Sequence, residues 1–168
     1  MSTTNTELAN RLREVLLNGK WIANTNFKEQ ISSIHWQQAI QQIENLNTIA
    51  LLTYHINYYL EGLIQVFNGG DLEIKDKYSF DLPAIQSATD WDNLVKAFIN
   101  HAEIFATQVE QMPNDLLDKP FVDEKYGSYL RNIEGVIEHS YYHLGQVSLI
   151  QKMLTNTNIH PSAQDSNG

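Results

Sequence analysis

The sequence predicts an all-α protein, a four-helix bundle, on three observations. Four segments repeat apolar residues at spacings of three and four over several turns, the signature of amphipathic helices. No segment shows the alternation of a half-buried strand, and no internal repeat is present. The segments are joined by Gly-, Pro- and Asn-marked breaks, and four amphipathic helices bury their stripes most simply against one another.

The first helix is expected over residues 7–18, where Leu8, Leu12, Val15 and Leu16 share a face and Gly19 supplies a C-terminal stop. Residues 20–30 are weakly periodic but keep Trp21, Ile22 and Phe27, which predicts a packed connection. A short helix is expected over 36–43, with Gln37, Gln38, Gln41 and Gln42 on its wet side. Asn45 to Thr48 then break the chain and cap the next helix.

The second long helix is predicted over 47–68, with Ile49, Leu52, Ile56, Leu60, Leu63 and Phe67 setting its apolar face and Gly69-Gly70 ending it. At ~1.5 Å per residue it runs on the order of 30 Å. Residues 71–88, with Tyr78, Phe80 and Pro83, form a connection longer than most in a compact domain. Such a loop can travel the length of a bundle and let the next helix run parallel to the one before. That helix is expected to start at Thr89 with Asp90 and Asp92 near its positive end. Trp91, Leu94, Val95, Phe98, Ala102, Phe105, Val109 and Met112 form its seam, and Pro113 closes it. After an irregular connection over 114–127, the last helix is predicted over 128–154. Residues 1–155 therefore read as a single domain, and 156–168 as a polar, flexible tail.

Composition narrows the function classes. The chain has 168 residues, 42% of them hydrophobic, enough for one domain with a proper core. A formal charge of -9, from 11 basic and 20 acidic residues, disfavours nucleic acid and anionic membrane surfaces as partners. Without cysteine there is no disulfide, thiolate ligand or cysteine nucleophile. The polar first residues lack the apolar run of a signal peptide, and the window 48–67 is too polar to span a bilayer, so a soluble cytoplasmic protein is expected.

The chemistry gathers in the last helix. Val136, His139, His143, Gln146, Val147, Ile150 and Leu154 recur at spacings of three and four, which places both histidines on a seam expected to face the core. Two imidazoles at i and i+4 can point ring nitrogens at one spot, as in helical two-histidine zinc motifs. A third is needed, and six histidines are available. His160 belongs to the polar tail, His35 sits beside a break, and His101 lies at the edge of its helix's seam. His55 lies well inside the second long helix, in line with Leu51, Tyr58 and Gly62. With the second and last helices as antiparallel neighbours, His55 reaches the level of His139 and His143. Three neutral imidazoles with no fourth candidate on these seams leave coordination positions open, as catalytic sites do.

Other side chains near the histidines have lesser roles. Gln146 shares the seam and is a candidate for orienting an imidazole from behind the ligands. Tyr58 is a candidate proton donor, although aromatics at helical spacing are usually core. Glu61 and Glu138 point away from the histidine stripe. Gly145 in mid-helix is attributed to close helix packing. The Glu-x-x-His pairs of di-iron bundles are absent, which sets aside a dimetal oxidase.

Asn47-Thr48-Ile49-Ala50 leading into Leu52 and His55, with His139, His143, Gly145 and Gln146 in an H-x-x-x-H-x-G-Q pattern, resembles the DinB-like (DNA-damage-inducible, YfiT-like) bundle family. The resemblance covers nearly the whole chain in helix order. It implies an up-down-down-up four-helix bundle and one divalent ion, often zinc or nickel, held by His55, His139 and His143. It also implies thiol-dependent transferase or isomerase chemistry with a low-molecular-weight thiol cosubstrate, and a homodimer. Relatives often carry Arg where this chain has Leu144, which points to a different substrate if that Arg holds an anion. A metal-dependent hydrolase on the same histidines, acting on a small molecule, is the second expectation. A non-catalytic dimeric bundle that binds a partner protein is the third.

Overall fold

The computed structural model describes residues 4–157. They form six α-helices and no strand, with one isolated bridge between Pro120 and Ser128. The helices are α1 (Thr4–Arg13), α2 (Phe27–Ser32), α3 (Trp36–Ala39), α4 (Ile49–Phe67), α5 (Ala88–Gln111) and α6 (Tyr129–Thr157). The expected all-α class is therefore observed. α6 runs on to Thr157 rather than ending at 154, and the rest of the tail expected over 156–168, His160 included, lies outside the described residues.

The long helices follow from their stripes. Leu8, Ala9 and Leu12 on α1, Leu52, Ile56 and Leu60 on α4, Trp91, Phe98, Phe105 and Val109 on α5, and Ile133, Ile137 and Val147 on α6 meet in one hydrophobic core. Thr48 caps α4 by accepting from the Leu51 amide at 3.1 Å. Gly69, at φ +87°, takes the left-handed turn beyond its end. α4 packs against α5, where the rings of Phe67 and Phe105 lie 5.1 Å apart and Asn57 faces His101. α1 packs against α5 and α6, and α4 also meets α6.

Several local expectations need correction. α1 does not remain regular to residue 18: Glu14–Asn18 widen into a π turn closed by Gly19 N–H to Glu14 O at 3.2 Å. A Cβ on Gly19 would stand 2.2 Å from Glu14 Cγ, so glycine is what permits that closure. Residues 20–30 are not a packed connection throughout. Trp21 and Ile22 are 88% and 68% exposed, whereas Phe27 is buried against Phe98. Phe27 opens α2, which is capped by Asn26 accepting from Glu29 N–H at 2.9 Å. α3 ends at Ala39 instead of 43. α5 starts at Ala88, not Thr89: Ser87 accepts from Asp90 N–H while the Asp90 carboxylate accepts from Gln86 N–H and Ser87 Oγ–H.

The seam of α6 is the expected one only in part: His143, Val147, Ile150 and Leu154 are buried as expected, but the core line is wider. Ile133, Ile137, Ser140, Leu144 and Val147 face the core, while Val136, His139 and Gln146 are only half-buried on its flank. Gly145 is not explained by packing, since a Cβ there meets nothing within 4 Å. Close packing does apply at Gly62, where a Cβ would stand 2.3 Å from Ile74 Cγ1. That contact lets the 71–88 connection lie directly on α4.

Candidate metal centre

Helices α4 and α6 bring His55, His139 and His143 together. Nε2 of His139 lies 3.1 Å from Nε2 of His55 and 2.9 Å from Nε2 of His143. One ligand nitrogen from each lies within 4.8 Å of the others. His55 and His143 are each 5% exposed; His139 is half-buried.

The partners behind the rings fix which nitrogen carries the proton. The Ser79 carbonyl can only accept, so His55 donates Nδ1–H to it at 3.2 Å. His143 donates Nδ1–H to Gln146 Oε1 at 2.9 Å. In both neutral rings Nε2 is then a lone pair, and both lone pairs face His139 Nε2. Three converging ring nitrogens can share only few protons, whereas a cation satisfies them all. With ~2.0–2.1 Å bonds, tetrahedral zinc holds its nitrogens ~3.3 Å apart, close to the separations across His139. The donor set fits a divalent ion of imidazole preference.

Burial keeps these rings neutral. It pushes His55 and His139 down to about 4, helped in both by the neighbouring His143, and for His139 by His55 as well. Burial also lowers His143, against the Gln146 hydrogen bond. Neutral imidazole is the form that ligates, so rings kept free of protons offer their lone pairs to a metal without proton competition near pH 7.

The 71–88 connection forms a roof. Phe80 stacks on His55 with centroids 4.1 Å apart, next to the Ser79 carbonyl. Tyr58, the candidate proton donor, has its hydroxyl engaged with the roof backbone, accepting from Lys75 N–H at 2.9 Å and donating to Lys75 O at 3.2 Å. Its neighbour Tyr59, not singled out by spacing, faces the histidines. Its ring is edge-on to His139 at 5.5 Å and its hydroxyl donates to Asp76 at 2.9 Å. Leu144 is buried in the core and takes no part in the site. Glu61 and Glu138 are exposed, and Glu138 pairs with Arg131 at 3.0 Å.

The centre is not sealed. His139 lines a cleft of about 420 Å³ together with Tyr59, Asp76, Leu72, Ile74 and Val136. Among the described residues no helix is long and apolar enough to cross a membrane. Compared with protein-family models, curated proteins and solved structures, the chain matches none of them.

Proposed function

We propose that this chain is a DinB-like, divalent-metal-dependent enzyme, a thiol-using transferase whose ion, zinc or nickel, is held by His55, His139 and His143. The observation that carries the reading is the convergence of three Nε2 atoms, two of them set as lone pairs by Ser79 and Gln146.

The up-down-down-up bundle belongs to the same proposal and has support in the pairing of levels. Asn57 meets His101 and Asn68 meets Gln108, the levels of α4 and α5 rising together, which favours parallel helices. His55 meets His139 while Phe67 meets Tyr129, so α4 and α6 run oppositely. Asn5 meets Met112 while Arg13 meets Glu103, an antiparallel pair of α1 and α5.

A divalent ion on these imidazoles supplies Lewis acidity, lowering the pKa of a water or thiol that joins them. The chain's own residues do the rest. Ser79 and Gln146 orient ligand rings, and Phe80 keeps bulk water from His55. Tyr59, hydrogen-bonded to Asp76, presents a phenol beside the open side of His139. The cleft gives a second reactant access to that side, which favours a catalytic centre over a closed structural one. Because the chain has no cysteine, the thiol must be a cosubstrate.

The test is turnover. Protein loaded with zinc or nickel is mixed with cysteine or glutathione and 1-chloro-2,4-dinitrobenzene, and the thioether is followed by absorbance. Thioether formation above background by the loaded wild type, lost in His143→Ala, supports thiol transfer. Loaded protein that stays at background across a panel of thiols and electrophiles contradicts it, and ester hydrolysis by the same protein would move the assignment to a hydrolase.

A further inference from the structure

We propose that the cleft beside His139 binds an organic carboxylate with an apolar body, its anionic end held by Arg131 and its body reaching toward the histidines. The proposal rests on the metal reading for what happens at His139, but the cleft itself is defined independently of any ion.

Arg131, Gly135 and His139 stand at i, i+4 and i+8 on α6, so they line one face of the helix. All three border the cleft. The helix rises ~12 Å from Arg131 to His139, a span suited to a ring with a short chain. Leu63, Leu72, Ile74, Phe121 and Val136 make most of the remaining wall apolar, beside the phenols of Tyr59 and Tyr126 and the Asp76 carboxylate. A ligand that fits must therefore be apolar in its middle.

Gly135 makes the room. A Cβ built there meets nothing within 4 Å, so no close helix contact accounts for a residue that weakens a helix interior. Its missing side chain widens the cleft midway between the guanidinium and the imidazole.

The sign of the ligand follows from Arg131, among the described residues the single Lys or Arg bordering the cleft; the carboxylate that also borders it, Asp76, is engaged by the Tyr59 hydroxyl at 2.9 Å. Asn132 does not compete for the anion, because its amide donates to the carbonyls of Tyr126 and Ser128 at 2.9 and 2.8 Å. Arg131 pairs with Glu138 on the same helix at 3.0 Å, with both side chains 61% exposed. So exposed a pair is weakly held, and a ligand carboxylate can replace Glu138 on the guanidinium fork. One guanidinium matches one singly charged carboxylate better than a phosphate dianion.

The experiment uses the full chain at pH 7, zinc-loaded and zinc-free, with 4-phenylbutyrate as probe and 4-phenylbutanamide as its neutral counterpart. Affinities are read by calorimetry or ligand-observed NMR, and zinc content by elemental analysis. The proposal expects the carboxylate to bind at least ten-fold tighter than the amide, and Arg131→Gln to remove that preference. Glu138→Gln should tighten carboxylate binding several-fold, and Gly135→Leu should weaken both probes ten-fold or more with zinc content unchanged. Equal affinity for the two probes in the wild type overturns the proposal, as does a carboxylate preference that survives Arg131→Gln, which would place the anion on the metal instead. Should Gly135→Leu fold poorly, the exposed Arg131→Gln variant decides alone. If zinc fails to load but the Arg131-dependent preference is present, the metal reading falls and the cleft assignment stands. If zinc loads and no preference appears, only the cleft assignment falls.

Discussion

Replacing Gln146 by Met should weaken metal binding without unfolding the protein. The substitution removes the oxygen that accepts His143 Nδ1–H at 2.9 Å and leaves a side chain of similar length. Gln and Met have comparable helix propensity, and Gln146 is only half-buried, so the metal-free fold should lose about 1 kcal/mol or less. The ring of His143 then loses both its fixed tautomer and its orientation. Removing such a partner typically costs about 10–100-fold in metal affinity, about 1.4–2.7 kcal/mol. Zinc titration in competition with a chromophoric chelator at pH 7 should show the dissociation constant rising by that factor. The thermal midpoint of the metal-free protein should move by no more than about 4 °C. Gln146→Glu keeps an acceptor and adds negative charge behind the ring, so it should bind at least as tightly as the wild type. Wild-type affinity in Gln146→Met would refute the reasoning, because the hydrogen bond would then not be what prepares His143.

The same geometry fixes three further outcomes. In the metal-free protein, His55 and His139 titrate near 4, against about 6.5 when unfolded, so the unfolded chain holds more protons between those values and stability falls as pH drops through that window. Discounted for partial solvent screening, the loss from pH 7 to pH 5 is on the order of 2 kcal/mol by urea unfolding, and a flat profile would contradict buried neutral rings. Gly145→Ala fills open space on an exposed helix position, so it should add about 0.5–1 kcal/mol and raise the midpoint by about 2–4 °C; a decrease would reveal a contact at that position. Gly62→Ala drives a Cβ into Ile74, which should cost about 1–3 kcal/mol and weaken zinc binding, since the displaced connection carries Ser79 behind His55. Unchanged affinity there would separate the roof from the centre.

The long helices were legible because their apolar stripes persist for many turns, and the histidine triad because His139 and His143 stand four apart while His55 shares a face with Leu51. α2 escaped because six residues give less than two turns of periodicity; the readable signal was the Asn26-x-x-Glu29 cap. Trp21 misled because its size suggests burial, yet a left-handed turn at Asn24 follows it and the ring projects outward. The start of α5 was misplaced because Thr89 and Ser87 are both plausible caps, and only the Ser87–Asp90 exchange chooses between them. Consecutive helix residues point about 100° apart, so periodicity alone did not separate Tyr58 from Tyr59, or His139 from the true core line through Ile137 and Ser140. Ser79 was beyond reach for another reason. It acts through its backbone carbonyl, which every residue possesses, and only the path of the 71–88 connection brings it to His55. The cleft between Arg131 and His139 likewise exists only once that connection and the 114–127 segment have closed around α6.

The most direct measurement is metal stoichiometry by elemental mass spectrometry on protein purified without an affinity tag, beside His143→Ala. The account predicts about one divalent ion per chain in the wild type, or after reconstitution with zinc or nickel, and loss of that ion in the variant with the helical fold retained. A wild-type protein that takes up no stoichiometric metal from zinc, nickel, iron or manganese, or a variant that holds as much as the wild type, would contradict it.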